Sequence, residues 1–343
     1  MVYVCGVEKD HRTGRQRRYG SGSSFALKCE GFGYGHGLHM EQVIPGSEVA
    51  ASGRQETFTL EAWQQAGKWF SYEGHAIFSR MGGQGEPLVL LHGFPTASWD
   101  WSRIWPMLVR EHNLLTLDML GFGFSDKPLH YSYSIEDQAD LIQGWIEGLG
   151  LERVHLFGHD YGTTVVQELL AREQEGELSF AISSVCLLNG GLFPEVHHPL
   201  FIQKILRSPL GGLIGRGLSR SLFERNFRRL FGSRNPPGRQ DMDDFWHLLN
   251  YNNGRGVLHR LIQFMEERRC HRNRWVGALQ KAEQPMRLIS GGADPVSGAA
   301  MARRYRELIP QADVVMLRNV GHYPHFEQPW DVYSAYREFR KAQ

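Results

Sequence analysis

Three side chains far apart in the chain could together carry out a covalent hydrolysis: Asp160, Asp294 and His322. Asp160 lies in Gly158-His159-Asp160-Tyr161-Gly162, where the apolar, strand-like Val154–Phe157 runs into helical sequence from Thr163 to Ala171. That layout is a nucleophile elbow, a tight strand-to-helix turn that lifts one side chain above a parallel sheet. Gly158 and Gly162 suit it, because backbone meets backbone where a Cβ would clash. The middle position, more familiar as Ser, is here a carboxylate. With a reference pKa of ~3.9 it is ionised at neutral pH. It can therefore attack an electrophilic sp3 carbon directly and form an alkyl-enzyme ester.

His322, oriented by Asp294, is then free to activate water against that ester. Water attack at the ester carbonyl would leave one solvent oxygen in Asp160. The resulting oxyanion is expected on the backbone N–H groups of Phe94 and Tyr161. Ordinary carboxylic esters fit poorly, since acyl transfer to Asp would give an anhydride. Taken singly, an Asp before Pro is a turn former, and a His after Gly is commonly structural. Their order and their places just past predicted strands join them. Glu195 and Asn189 compete for the acid's role, and His325 competes with His322. His159 reads as a buried structural histidine.

The elements that must position these residues alternate regularly from Lys68. Lys68–Tyr72 and His75–Ser79 read as two strands about Glu73-Gly74. Pro87–Leu91 is a continuous apolar run, as in a strand buried on both faces, and ends in His92-Gly93-Phe94-Pro95. An amphipathic helix is predicted over Trp99–Val109, then a strand over Leu114–Asp118. A helix follows from Ser134 to Leu149, with Asp137 completing a capping box. After the elbow and a strand over Ser183–Leu188 the alternation stops at Asn189-Gly190-Gly191. Helical patterns fill the next stretch, and strands resume over Met286–Ser290 and Val314–Leu317. A helix is predicted over Gly298–Leu308, between these strands, and a last one begins near Pro329. This predicts an α/β fold with a mostly parallel central sheet flanked by helices and a helical cap inserted after the sixth strand. The core would be 40–191 and 276–343, and the cap 192–275. In such sheets ligands gather beyond the carboxyl ends of the strands. Trp99, Trp101 and Phe122 are expected in the floor of the site or in the core.

Composition narrows the function. The 343 residues carry 38 Lys+Arg against 37 Asp+Glu, a net charge of +1, so no nucleic-acid partner is expected. Four scattered cysteines (Cys5, Cys29, Cys186, Cys270) offer no paired spacing, which fits a reducing, cytoplasmic compartment. No apolar run approaches the ~18 residues of a membrane span, and no secretory signal is seen at the start. The histidines lack metal-ligand spacing, so neither metal nor cofactor is expected. Residues 1–39, rich in Gly and Arg, read as a disordered extension; Met40 is a candidate start, which intact mass would check. Arginines crowd the cap: Arg225, Arg228, Arg229, Arg234, Arg239, Arg268, Arg269, Arg272 and Arg274. A solvated helical face is the expectation for them; contact with an anionic membrane surface or an acidic substrate is the alternative. Oligomeric state is left open.

From about Lys68 the chain resembles the α/β-hydrolase superfamily, in its epoxide hydrolase and haloalkane dehalogenase branch. His92-Gly93-Phe94-Pro95, Gly158–Gly162, Asp294 and His322 carry the resemblance. Gly121–Pro128, Asn189–Glu195 and Arg274–Leu279 make it similar, within that branch, to the mesoderm-specific transcript proteins. The branch implies leaving-group donors. Haloalkane dehalogenases use a Trp after the nucleophile and an Asn in the His-Gly-x-Pro turn or a second Trp. Tyr161 and Phe94 stand at the first two places here. Fluoroacetate dehalogenases place Arg where Tyr161 is. Epoxide hydrolases use two cap tyrosines, and the cap holds one, Tyr251, with Trp246, His247 or Asn250 as a second donor. The resemblance implies an epoxide hydrolase that turns a small apolar substrate and water into a vicinal diol. A haloalkane dehalogenase-like hydrolase is the first alternative, and a non-catalytic binding protein on the same fold the second.

Overall fold

A computed structural model describes residues 58–233 and 235–343; the predicted extension over 1–39, Met40 and Arg234 lie outside them. Eight strands form one sheet in the order β1-β2-β4-β3-β5-β6-β7-β8. They are β1 (Lys68–Tyr72), β2 (His75–Gly82), β3 (Pro87–Leu91), β4 (Asn113–Leu117), β5 (Arg153–His159), β6 (Ala181–Leu188), β7 (Met286–Gly291) and β8 (Asp313–Leu317). The β1–β2 hairpin and the β2–β4 pair are antiparallel, and every later pair is parallel. The middle is dry because its strands are apolar on both faces: Leu88, Val89, Leu90 and Leu91 are all 0% exposed. Burying each such side chain stabilises the fold by roughly 1.5–3 kcal/mol.

The helix Ile135–Gly148 begins as its cap residue predicts, Ser134 Oγ accepting from Asp137 N at 3.1 Å. The return half of the capping box is missing. The Asp137 carboxylate instead accepts from Tyr131 and Tyr72 hydroxyls, and Glu267 of the inserted helices takes the Ile135 N–H at 2.7 Å. The predicted helix over Trp99–Val109 is also corrected. It is two short pieces, a 3-10 turn Ser98–Trp101 and a helix Trp105–Leu108. Pro106 has no N–H for a bond back to Ser102, and its ring would clash there. Trp99, Trp101, Ile104, Trp105 and Leu108 are all buried, so the run has no continuous wet face. Trp99, Trp101 and Phe122 belong to the hydrophobic core.

Between β6 and β7 the described residues form helices and turns, from the 3-10 turn Pro194–Val196 to the helix Arg272–Lys281. The last helix crosses position 275 and packs on the elbow helix Tyr161–Gln174. Glu168, buried in the elbow helix, is satisfied by Arg172 Nε (3.0 Å), Arg274 Nε (2.8 Å) and Trp275 Nε1 (2.8 Å). Burial would raise its pKa, but these donors outweigh that and lower it.

Candidate active site

Asp160 stands between β5 and the elbow helix with φ 41° and ψ −101°, a conformation an L-residue adopts at a cost of about 1–3 kcal/mol. The surroundings over-determine it. Its carbonyl accepts from Thr163 N (3.2 Å), Thr163 Oγ1 (2.6 Å) and Arg268 Nη2 (2.9 Å), while its N–H reaches Leu188 O (3.3 Å). The glycines are required for contact: a Cβ on Gly162 would lie 2.4 Å from Leu91 O, and one on Gly93 2.7 Å from His159 Nδ1.

The three predicted side chains meet at the carboxyl ends of β5, β7 and β8. His322 Nδ1 lies 2.8 Å from Asp294 Oδ2, and its Nε2 3.8 Å from Asp160 Oδ2. All three are nearly sealed from solvent. Asp294 is held by Val296 N and Asn189 Nδ2, each at 2.7 Å, and by Ser297 Oγ at 2.8 Å. Asn189 is thus a donor to the acid, while Glu195 is engaged away from the site by Arg272 and Arg304. Phe94 N–H donates to Asp160 Oδ2 at 3.2 Å. Tyr161 opens the elbow helix, so its N–H is among those the helix itself cannot satisfy.

Burial works against charge in all three groups, but mutual attraction wins. Burial would lower the His322 pKa; the charge of Asp294 and hydrogen bonds to Asp160 and Asp294 push it up to about 10. Burial would raise Asp160, yet the hydrogen bond and charge of His322, with the charge of Arg268, hold it well below the usual carboxylate range. Asp294 is lowered likewise, its burial outweighed by His322.

The roof departs from expectation. Asp160 and His322 open onto a cavity under the inserted helices, walled by Leu206, Leu222, Phe223, Phe227, Leu249 and Leu258. Its cap polar groups are the amides of Gln203 and Asn226. Tyr251, Trp246 and His247, the predicted donors, do not line it. On the helix Arg239–Asn250 the buried residues are Met242, Asp244, Phe245, Leu248 and Leu249. Trp246 packs on Phe223, and His247 is exposed. Tyr251 closes that helix against Phe124, and Asn252 and Asn253 (φ 47° and 62°) then redirect the chain.

Two further groups were not foreseen. Arg268, placed by sequence among the solvated arginines, is 2% exposed: its Nε donates to Thr164 Oγ1 at 2.7 Å and its Nη2 lies 3.6 Å from Asp160 Oδ1. Nothing in its local sequence separates it from Arg269, which is exposed. Beneath the triad, Asp100, His159 and His325 bring ligand-type atoms within 4.8 Å of one another, the grouping among the described residues that could converge on a metal ion. All three are 0% exposed. His159 Nε2 also lies 2.8 Å from His322 O, so it supports the histidine loop as a buried structural residue.

A strand-borne nucleophile elbow, with acid and histidine after later parallel strands and helices on both faces, defines an α/β hydrolase. The chain matches the alpha/beta hydrolase fold family over residues 86–329 and belongs to it. It is 40% identical over 294 residues to the mesoderm-specific transcript protein of Mus musculus, covering 82% of this chain and 87% of that one. A shorter stretch of 109 residues is 35% identical to fluoroacetate dehalogenase of a Burkholderia species, covering 31% of this chain and 36% of the relative. Among solved structures, haloalkane dehalogenase DbeA of Bradyrhizobium elkani superposes with a TM-score of 0.69 at 20% identity, over 81% of this chain and 99% of that one.

Proposed function

We propose that this hydrolase works through an aspartyl ester. Asp160 attacks an sp3 carbon of a small apolar substrate, and the leaving group departs with the bonding electron pair. His322 then takes a proton from water as it adds to the ester carbon, with the oxyanion held at the N–H of Phe94 and, by position, of Tyr161. Collapse releases the product alcohol and returns Asp160 carrying one solvent oxygen. The observation that carries this reading is the shared geometry of Asp160 Oδ2, which receives the Phe94 N–H at 3.2 Å and faces His322 Nε2 at 3.8 Å.

The electrostatics support the order of steps. Before attack His322 sits between two carboxylates and holds its proton. Alkylation neutralises one of them, so its pKa falls from about 10, its proton passes to solvent with the departing leaving group, and imidazole becomes available as a base.

The roof bears on the leaving group. An epoxide oxygen leaves as an alkoxide and needs an acidic O–H beside it; among the described residues no cap hydroxyl lines the cavity. A halide leaves as a stable anion and is served by amide N–H donors such as those of Gln203 and Asn226. Asn226 Nδ2 donates to Leu222 O at 2.8 Å through one of its two hydrogens, leaving the other available. This favours alkyl-halide over epoxide hydrolysis, and the partial similarity to a fluoroacetate dehalogenase agrees with it. The test is turnover of 1-bromobutane and of styrene oxide in heavy-oxygen water, with mass measurement of the Asp160 peptide. Label in that peptide, with bromide release exceeding diol formation, is the expected result; product without label would overturn the ester.

A further inference from the structure

The two oxygens of Asp160 have different neighbours. Oδ2 is taken by the Phe94 N–H, the contact that marks the carbonyl oxygen of an ester, and lies 3.8 Å from His322 Nε2. Oδ1 therefore makes the bond to substrate, and its charged neighbour is Arg268, whose Nη2 lies 3.6 Å away. On the reading just given, and resting on it, we infer that Arg268 is a catalytic residue of the second half-reaction, drawing negative charge onto Oδ1 as the Cγ–Oδ1 bond breaks.

The surroundings of Arg268 are built to keep a guanidinium in place. It comes from the helix Phe264–Cys270 and crosses to the elbow helix, where Thr164 Oγ1 takes its Nε. Its Cζ lies 4.5 Å from the centre of the Phe264 ring. Gly191 makes the room, since a Cβ there would stand 2.2 Å from Nη1. That Nη1 is buried and has no hydrogen-bond partner. Sealing a cation from water is expensive unless a counter-charge is at hand, and here the nearest counter-charge is the carboxylate that the reaction consumes.

The charge inventory then decides which step benefits. In the free enzyme Arg268 and Asp160 are opposite charges. Attack converts Asp160 into a neutral ester and strands the buried cation, which works against the first step and raises the energy of the intermediate. Water addition restores a negative charge. His322 takes the water proton, the oxyanion forms on Oδ2, and its electron pair then re-forms the carbonyl as Cγ–Oδ1 breaks. Oδ1 leaves with the substrate carbon as an alkoxide beside Nη2 and receives the proton back from His322, and the new carboxylic acid of Asp160 then gives its proton to the freed imidazole. The cation is matched again only when the ester is gone.

The test separates the half-reactions in single turnovers of full-length protein. The probe is 1-bromobutane or styrene oxide, whichever alkylates Asp160 in H322Q, read as added mass on that peptide. In R268Q the ester should form within about threefold of the wild-type rate and decay about 100-fold more slowly, so that adduct accumulates. Both rates are read in one sample, so a partly folded preparation does not alter their ratio. Should R268Q fail to fold, R268K replaces it; a point charge without the fork should slow decay about tenfold with formation held. Formation and decay falling by the same factor, or decay unchanged, would overturn the role of Arg268 alone. Absence of adduct in H322Q with both probes would overturn the aspartyl-ester reading itself.

Discussion

The floor and the roof of the cavity are made on opposite principles. Below, at the strand ends, polar groups are buried and the two acids are densely paired: Asp294 accepts four hydrogen bonds, including the one from His322, and the Asp160 carbonyl accepts three. Above, Leu and Phe side chains close the space, with the amides of Gln203 and Asn226 as the cap's polar contributions. A buried network has one low-energy arrangement, because any displaced member is left unsatisfied. An apolar wall tolerates exchange of similar volumes. On the proposed reading the ester chemistry therefore belongs to the floor, and the choice of leaving group and substrate to the roof.

The sharpest way to break that division is at the proposed nucleophile. Asp160→Asn keeps the shape and removes the charge, so turnover should fall about 10⁴-fold or more, with intact mass used to exclude deamidation back to Asp. A variant as active as its parent would mean the floor does not carry the reaction.

Substitutions in the roof should act more gently. Asn226→Leu removes one amide donor, and a roughly tenfold loss in kcat/KM for a bromoalkane is expected, about 1.4 kcal/mol. The decay of trapped ester should be unchanged. Tyr251→Phe, outside the cavity, should alter kcat/KM less than twofold; a larger loss would return Tyr251 to the leaving group.

The pH dependence of stability tests the floor without substrate. The folded pKa of His322, about 10, lies above its ordinary 6.5. Its contribution is therefore complete below pH 6.5 and lost as pH rises through 10. Chemical denaturation of wild type against H322Q should show the stability difference shrinking across that window. A constant difference would mean the two buried carboxylates do not hold the imidazolium.

The smallest effect is expected where floor and roof are tied together. Burial raises Glu267 to about 7 from 4.5 while it accepts the Ile135 N–H. A raised carboxylate pKa withdraws stability as pH climbs from 4.5 through 7. Glu267→Gln keeps the acceptor and drops the charge. Its melting temperature should exceed wild type by a few degrees at pH 8 and match it at pH 4.

Much of the floor was legible because local sequence dictates it. Gly158 and Gly162 announce a turn without room for Cβ, and the apolar run into Asp160 announces a buried strand. The places of Asp294 and His322 beyond later strands follow from the same alternation. Where backbone demands are local, residue types report them. The break of the Trp99–Val109 helix was legible too, in Pro106, but a purely apolar period overrode it. The predicted roles of Tyr251, Trp246 and His247 had no such backing. A helix buries one face, yet composition alone does not tell which of two neighbouring surfaces that face meets.

Sequence by itself settled the sheet, the elbow and the order of the three polar residues, since each depends on neighbours a few positions away. Tertiary structure alone decided that Arg268 is buried against Asp160 while Arg269 is solvated, that Asn189 serves Asp294, and that Asp100, His159 and His325 converge. Such contacts join positions from 59 to more than 200 residues apart, and their energies come from burial and charge. Those quantities exist only once distant segments of the chain have packed together.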